Sequence, residues 1–214
     1  SGPDGVPDGV IDDYDKTKIG SPMPKFTFGW TNTFRYKNFD LSVFINGSYG
    51  NKVYNYLSMK LTHMNSPWTN QLNAVNGRAQ LVPINPNKVY EDGTMWYNDV
   101  SNVMVANPGA SIPRATINDP NDNDRISDRY IEDGSYIRLK NISLGYTFPK
   151  KTIDKLGLSN LRIYANIQNL LTITGYDGYD PEIGASTSSV NVFGLDNGRY
   201  PSPTVYSFGL NVSF

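Results

Sequence analysis

Residues 203–214, Pro-Thr-Val-Tyr-Ser-Phe-Gly-Leu-Asn-Val-Ser-Phe, carry the strongest indication of the fold of this chain. Large side chains recur at every second position, and serine, glycine or asparagine stand between them. Because successive side chains of a β-strand point to opposite faces, this alternation predicts a strand with one apolar and one small, polar face.

The sequence given ends on an aromatic residue directly after this strand. Closing strands of outer-membrane β-barrels end in the same way, and the ending resembles the signal that the barrel-assembly machinery recognises. We therefore predict an assembly signal formed by Tyr206, Phe208, Leu210, Val212 and Phe214. A soluble edge strand that ends on phenylalanine is the alternative.

Composition narrows the classes of protein. A formal net charge of -1 over 214 residues gives no reason to expect a nucleic-acid partner, and the absence of cysteine excludes disulfides and thiolate metal sites. No apolar run reaches the roughly 18 residues of a spanning helix, so a membrane location requires a closed barrel. The first residues include neither an initiator methionine nor a signal core, and we expect a piece of a longer protein.

Residues 1–24 are rich in glycine, proline and aspartate, which predicts a loop. Set against the calcium-loop template, the ligand positions fall on Asp4, Asp8, the carbonyl of Val10, Asp12 and Asp15. Val6 stands at a position where the template has a ligand side chain. A calcium site and a plain acidic loop held by Asx turns both remain open.

Residues 25–51 contain two alternating runs that are joined by Lys37 and Asn38. This pattern predicts a β-hairpin. Each arm has about 12 residues, which exceeds the usual globular strand of five or six and suffices for a tilted membrane crossing. We therefore predict a transmembrane hairpin.

Alternation resumes in residues 135–174, which predict a second transmembrane strand pair with a turn at 149–159. Ile137 and Leu139 lie in the opposite phase to Ile142 and Leu144. Either a β-bulge near Lys140 restores the phase, or Ile137 and Leu139 face inward. Residues 203–214 add the closing strand.

The connections between these five strands differ in length. Segments 1–24, 52–134 and 175–202 are long and polar, with a short helix near 68–76, whereas 37–38 and 149–159 are short. Outer-membrane barrels have short periplasmic turns and long outer loops, so the long segments are predicted to be extracellular. Because even the smallest barrels use eight strands, the remaining strands must come from an upstream part of the same polypeptide or from further copies.

Several stretches carry a resemblance to a known family. They are Ser127–Tyr146, Leu161–Leu170, Gly178–Glu182 and Phe208–Phe214. Together they resemble the carboxy-terminal region of SusC/RagA-type TonB-dependent outer-membrane transporters. The acidic loop, Ile19–Phe26 and Tyr36–Val43 are similar to the segment that precedes that region, although Val6 replaces the usual asparagine. The resemblance thins between residues 58 and 117.

This resemblance implies an all-β fold, a transmembrane antiparallel β-barrel of 22 strands, of which the chain supplies the last five. It implies a plug and a TonB box on the missing amino-terminal portion, a SusD-like surface lipoprotein as a lid, and import of glycans or peptides driven by the TonB complex. The implied location is the outer membrane of a Gram-negative, Bacteroidetes-type cell, in contact with membrane lipid and lipopolysaccharide.

Aromatic side chains in the predicted outer loops are the candidate ligand contacts: Trp68, Trp96, Tyr97, Tyr176, Tyr179 and Tyr200. The alternative is that these rings pack within the loops or against the lid protein.

An enzyme is not predicted. His63, the single histidine, belongs to no recognisable catalytic motif, and we expect it to face solvent. The acidic residues between Asp119 and Asp133 alternate with Arg125 and Arg129, which favours ion pairs and Asx turns over glycosidase carboxylates. No cofactor other than calcium is expected. A passive porin and a soluble carbohydrate-binding β-sandwich remain the alternative functions.

Overall fold

The computed structural model describes residues 5–9, 11–117, 119, 122–183, 185–186 and 189–214. Its strands are β1 (Phe26–Tyr36), β2 (Phe39–Tyr49), β3 (Lys52–Asn55), β4 (Leu81–Pro83), β5 (Val103–Val105), β6 (Ile131–Asp133), β7 (Tyr136–Thr147), β8 (Asn160–Thr174), β9 (Ala185–Ser186), β10 (Ser189–Phe193), β11 (Leu195–Asp196) and β12 (Val205–Ser213). The α-helices are α1 (Tyr56–Thr62) and α2 (Lys150–Ile153), and short 3-10 turns lie at Asp13–Asp15, Asn73–Gly77, Trp96–Asn98, Asp128–Tyr130 and Asp154–Leu156.

The five long strands form one sheet in the order β1-β2-β7-β8-β12, and every neighbouring pair is antiparallel. The prediction of five antiparallel strands is therefore confirmed. No helix among the described residues is long and apolar enough to cross a membrane.

In each of the five strands most of the large apolar side chains point to the same face of this sheet, whereas Phe44 of β2 points to the opposite, polar face. The register shows it, because Trp30 pairs with Ile45, and Leu210 pairs with Ile163. Few of these side chains are covered by the rest of the chain. The exposed ones include Phe26, Phe28, Trp30, Phe34, Tyr36, Phe39, Leu144, Ile163, Leu171, Ile173, Tyr206, Phe208, Leu210 and Val212. An apolar surface of this extent exceeds what monomeric soluble proteins expose.

A β-bulge settles the phase change in β7. Leu139 pairs with Ile45 of β2, whereas Asn141 pairs with Gln168 of β8, and the register shifts between Leu139 and Asn141. Lys140 is thus the extra residue, so Ile137 and Leu139 share the apolar face with Ile142. The inward alternative for Ile137 and Leu139 is excluded.

The neighbouring strand β8 is irregular at the same level. Asn169 adopts a positive φ of 53°, a conformation that asparagine tolerates better than most residues. Its side-chain amide donates to the carbonyl of Pro203, and its own carbonyl accepts from the Thr204 hydroxyl. Asn169 therefore ties the start of β12 to β8 rather than contributing to the apolar face.

The chain divides into two compact units. One comprises the residues up to Lys18 with Tyr56–Tyr130, and the other Ile19–Asn55 with Ile131–Phe214. The second unit contains the main sheet and a small sheet in the order β11-β3-β6. In the first unit β4 pairs with β5, and Met59, Thr62, Ile112 and Tyr130 are buried.

The helix predicted near 68–76 is present only as the 3-10 turn Asn73–Gly77, and the α-helix among the described residues of this unit is α1 at Tyr56–Thr62. Ser66 explains the difference. Its hydroxyl accepts from the amide of Trp68, and its carbonyl accepts from the Thr69 hydroxyl. Such local side-chain bonds offer the backbone an alternative to helical pairing.

Candidate functional site

The polar face of the main sheet carries an ion pair that spans three strands. Arg162 of β8 donates through Nε and Nη2 to the two carboxylate oxygens of Asp40 in β2, at 3.1 and 2.6 Å. Gly145 of β7 lies between them, and a Cβ atom there would overlap both side chains. Glycine at this position therefore permits the bidentate pair to cross β7.

A buried arginine links the end of the sheet to the segment 175–202. Arg138 of β7, only 3% exposed, donates to Asp180, to Glu182 and to the Thr172 hydroxyl. Lys140, the bulged residue, also contacts Glu182 at 2.7 Å. The bulge thus brings two cations of one strand to the two carboxylates of this segment.

Asp180 is the centre of this cluster. One of its carboxylate oxygens accepts from the amide of Glu182 and the other from the amide of Ser202. Burial acts to raise the pKa of Asp180, but the hydrogen bond from Arg138 and these amides outweigh it and hold the pKa below its usual range. The carboxylate therefore stays ionised and fastens both ends of 180–202.

Tyr176 closes a second buried contact in the same segment. It is 5% exposed, and its hydroxyl donates to Asp196 over 2.6 Å. Burial together with the Asp196 carboxylate raises the pKa of Tyr176. The candidacy of Tyr176 as a ligand contact is therefore corrected, because its ring and hydroxyl are used within the fold. Tyr179 and Tyr200 of this segment are exposed, at 63% and 84%.

The first unit contains a cavity of about 820 Å³, within the usual range for ligand sites. Trp96 and Tyr97 line it, and their ring centroids lie 5.7 Å apart in an edge-on arrangement. Arg78 and Arg114 line it as well. Trp68, by contrast, does not line this cavity and is 91% exposed. The structure thus brings together two of the six aromatic candidates.

His63 differs from the sequence prediction. Its Nε2 lies 3.0 Å from Asp119 Oδ2 and its Nδ1 lies 3.9 Å from Asp124 Oδ2. Burial acts to raise the pKa of Asp119, but hydrogen bonds from Asn123 and His63 lower it further than burial raises it. The expectation that His63 faces solvent is therefore wrong, because the carboxylate of Asp119 draws the imidazole into the unit.

Where it is described, the acidic loop is held by hydrogen bonds of its own and by Arg125, which donates to the carbonyl of Ile11. Asp12 accepts from the amide of Tyr14, and Asp15 accepts from the amide of Asp12, which forms a capping box. Asp8 is exposed, and Asp4 and Val10 lie outside the described residues. Calcium binding by this loop stays a prediction.

The residues predicted as an assembly signal lie on and just after β12. Tyr206, Phe208, Leu210 and Val212 share the apolar face and are exposed, as is Phe214. Recognition by the assembly machinery stays a prediction.

Sequence reasoning missed the arginines at these sites. Arg138 and Asp180 are 42 residues apart, so no local pattern joins them. Arg78 and Arg114 lie in the stretch where the resemblance is thinnest. In the stretches that resemble the family, the sequence does offer one indication of the buried cluster. Arg138 is a charged residue in a strand whose residues alternate between apolar and polar side chains.

The sequence of this chain is similar to those of known receptors. No family model matches the chain. TonB-dependent receptor P3 of Formosa agariphila is 36% identical over 211 residues, and the TonB-dependent receptor SusC of Bacteroides thetaiotaomicron is 29% identical over 209. Each alignment covers 96% of this chain but only 18% and 17% of the relative, so the chain spans less than a fifth of their length. Their names are those of receptors and not of enzymes, as the sequence predicts.

The fold is similar to that of a solved transporter structure. The structure of the RagAB peptide importer in its closed-closed state matches with a TM-score of 0.63 at 19% identity. The match covers 91% of this chain and 18% of that one. Fold and sequence together thus lead to one family: the chain belongs to the SusC/RagA-type TonB-dependent receptors of the outer membrane and represents a segment of their β-barrel.

Proposed function

We propose that this chain forms part of the barrel wall of a TonB-dependent active importer of glycans or peptides. The exposed apolar face of the main sheet is the observation that carries the proposal, since lipid is the solvent that such a face requires. The opposite face, with Asp40 and Arg162, then lines the polar interior. Kinship with TonB-dependent receptors supports active rather than passive transport.

The partners follow from the same proposal. A plug and TonB box on the missing amino-terminal portion couple the barrel to the TonB complex. A SusD-like lipoprotein lids the barrel over the segments 1–24, 52–134 and 175–202, which face outward, whereas 37–38 and 149–159 face the periplasm. The barrel-assembly machinery inserts the protein among lipid and lipopolysaccharide, in the outer membrane of a Gram-negative, Bacteroidetes-type cell.

Uptake by cells tests this function. Cells that lack the full-length receptor, with and without a plasmid that restores it, receive labelled oligosaccharides and oligopeptides. We expect receptor-dependent uptake that stops when TonB is deleted. Uptake that persists without TonB indicates a passive porin, and a receptor recovered in the soluble fraction indicates a soluble binding protein; either result overturns the proposal.

We also propose that the acidic loop binds calcium. Asp12 and Asp15 supply the hard oxygen donors that this cation prefers, although each already accepts a backbone amide. Calorimetric titration of the full-length receptor with calcium provides the test. We expect one binding event that Asp12→Asn weakens and that Asp154→Asn, a remote control, leaves unchanged. Equal binding by wild type and Asp12→Asn contradicts the proposal.

A further inference from the structure

The cavity of the first unit is unusual in its charge. Its side chains include Arg78 and Arg114, and none of the described residues that line it carries a carboxylate. Arg114 makes no ion pair with any described residue. Among the described residues, the Arg78 side chain donates one hydrogen bond, to the carbonyl of Val75. Arg138 and Arg162, in contrast, are each neutralised by carboxylates of their own chain.

Both cavity arginines are partly withdrawn from water. A guanidinium that loses hydration without gaining a carboxylate is unfavourable, and an arriving anion removes this cost. Arginine also presents a planar fork of donors that matches a carboxylate. The cavity therefore has the electrostatic character of an anion site.

The aromatic residues of the cavity place a second requirement on its ligand, besides negative charge. Trp96 is half-buried and Tyr97 is 43% exposed, so each presents part of its ring to the cavity. Such rings stack on the flat apolar face of a sugar or an apolar side chain. Gln80 and Asn98 supply neutral donors and acceptors beside them. A ligand that satisfies the whole lining carries both an anionic group and an apolar face.

The backbone that holds these side chains is fixed by hydrogen bonds. The amide of Ala79 donates to the carbonyl of Ile112, and Asn107 binds the carbonyl of Arg78 and the amide of Gln80. Asp99, just after the turn with Trp96 and Tyr97, accepts from Lys88, Ser101 and Tyr90. These contacts hold the pKa of Asp99 far below its usual range. A site held in this way loses little entropy on binding.

We propose that this cavity binds a carboxylate-bearing ligand, with Arg78 and Arg114 on the carboxylate and Trp96 and Tyr97 on its apolar part. The inference names a substrate class for the importer and rests on the proposed function. Two sources share this chemistry, a uronic-acid oligosaccharide and a peptide with a free carboxy terminus.

Binding to the full-length receptor tests the proposal. Calorimetry compares trigalacturonate with its carboxyl-reduced neutral form, and the tripeptide Ala-Ala-Phe with its amidated form. We expect one charged probe to bind more tightly than its neutral partner, and Arg78→Gln with Arg114→Gln to weaken it at least about tenfold for each arginine. The probe that binds identifies the source.

Two variants control this experiment. Lys60→Gln removes one positive charge from α1, outside the cavity, as each arginine substitution does inside it, and should leave affinity unchanged. Arg78→Lys with Arg114→Lys retains the charges and should keep part of the affinity, which separates loss of charge from misfolding. The proposal is overturned if the double glutamine variant binds as wild type, or if neither charged probe exceeds its neutral form. The TonB-dependence of uptake is measured separately, so that the import function can stand when this site fails.

Discussion

At the scale of single residues, Gly145 shows how one missing side chain permits a long-range contact. The ion pair of Asp40 and Arg162 crosses β7 only because no Cβ atom stands at position 145. The same reasoning applies to Gly209, where a Cβ atom would overlap the ring of Tyr164. Glycines in these strands therefore make room for the larger polar side chains of neighbouring strands.

We expect Gly145→Ala to separate Arg162 from Asp40 and to destabilise the full-length receptor by about 1 kcal/mol, since a bidentate charged pair is lost. Thermal unfolding in detergent measures the change. Gly77→Ala, where a Cβ atom meets nothing within 4 Å, is the matched control. The explanation fails if both variants unfold alike, or if Gly145→Ala still destabilises a receptor that already carries Arg162→Gln.

Asp180 predicts a dependence on pH. Its pKa is lowered in the folded state, so its contribution to stability is complete above the unfolded value of about 3.9 and is lost as the pH falls through the folded value. We expect the amides of Glu182 and Ser202, which donate to Asp180, to lose protection below about pH 4. Hydrogen exchange, corrected for intrinsic rates, measures this loss.

Asp180→Asn should cause the same loss of amide protection at neutral pH, because it leaves Arg138 buried without one of its carboxylates. Breaking such a pair costs about 3 kcal/mol. Asp177→Asn, at an exposed position in the same segment, should change nothing. Full protection of Ser202 in Asp180→Asn at pH 7 contradicts this account.

At the scale of elements, the segment 175–202 is held at two places. Arg138 and Lys140 of β7 contact Asp180 and Glu182, and Tyr176 contacts Asp196. Asp196 belongs to β11, which pairs with β3, and its second oxygen accepts from the amides of Gly198 and Arg199. The described residues of this segment are thus tied to β7 and β3 of the second unit, and Tyr179 and Tyr200 among them are exposed.

Tyr176→Phe removes the hydroxyl alone and leaves one oxygen of the buried Asp196 unsatisfied. We expect the segment to open more easily by about 1–3 kcal/mol, because an unpaired buried acceptor loses hydration without compensation. Hydrogen exchange at Gly198 and Arg199 reports the opening. Tyr179→Phe alters an exposed tyrosine of the same segment and serves as the control. Equal exchange in the two variants shows that the Tyr176 hydroxyl has no such role.

At the scale of the whole molecule, the apolar face of the sheet determines the solvent that the protein needs. Phe208 lies in the middle of β12 on this face, and Ser207 lies beside it on the polar face. If lipid covers the apolar face, a charge at position 208 is costly and a charge at position 207 is tolerated.

We expect Phe208→Arg to destabilise the inserted receptor by about 2–4 kcal/mol and Ser207→Arg to have little effect. Urea titration of the full-length receptor in lipid vesicles measures both, with outer-membrane abundance as a second readout. If Ser207→Arg is as damaging as Phe208→Arg, the assignment of the two faces is wrong.

The five strands, their apolar face and the family were predictable from the amino-acid sequence, because a period of two and long runs are local properties that any membrane-crossing strand must satisfy. Three features became known only from the three-dimensional contacts: the bulge at Lys140, the burial of Tyr176 with the partial burial of His63, and the cavity that joins Arg78, Arg114, Trp96 and Tyr97. Each of these depends on contacts between residues far apart in the chain, such as Arg138 with Asp180, and on the register that brings them together. Alternation specifies which way a side chain points, whereas pairing across strands and loops specifies what it meets.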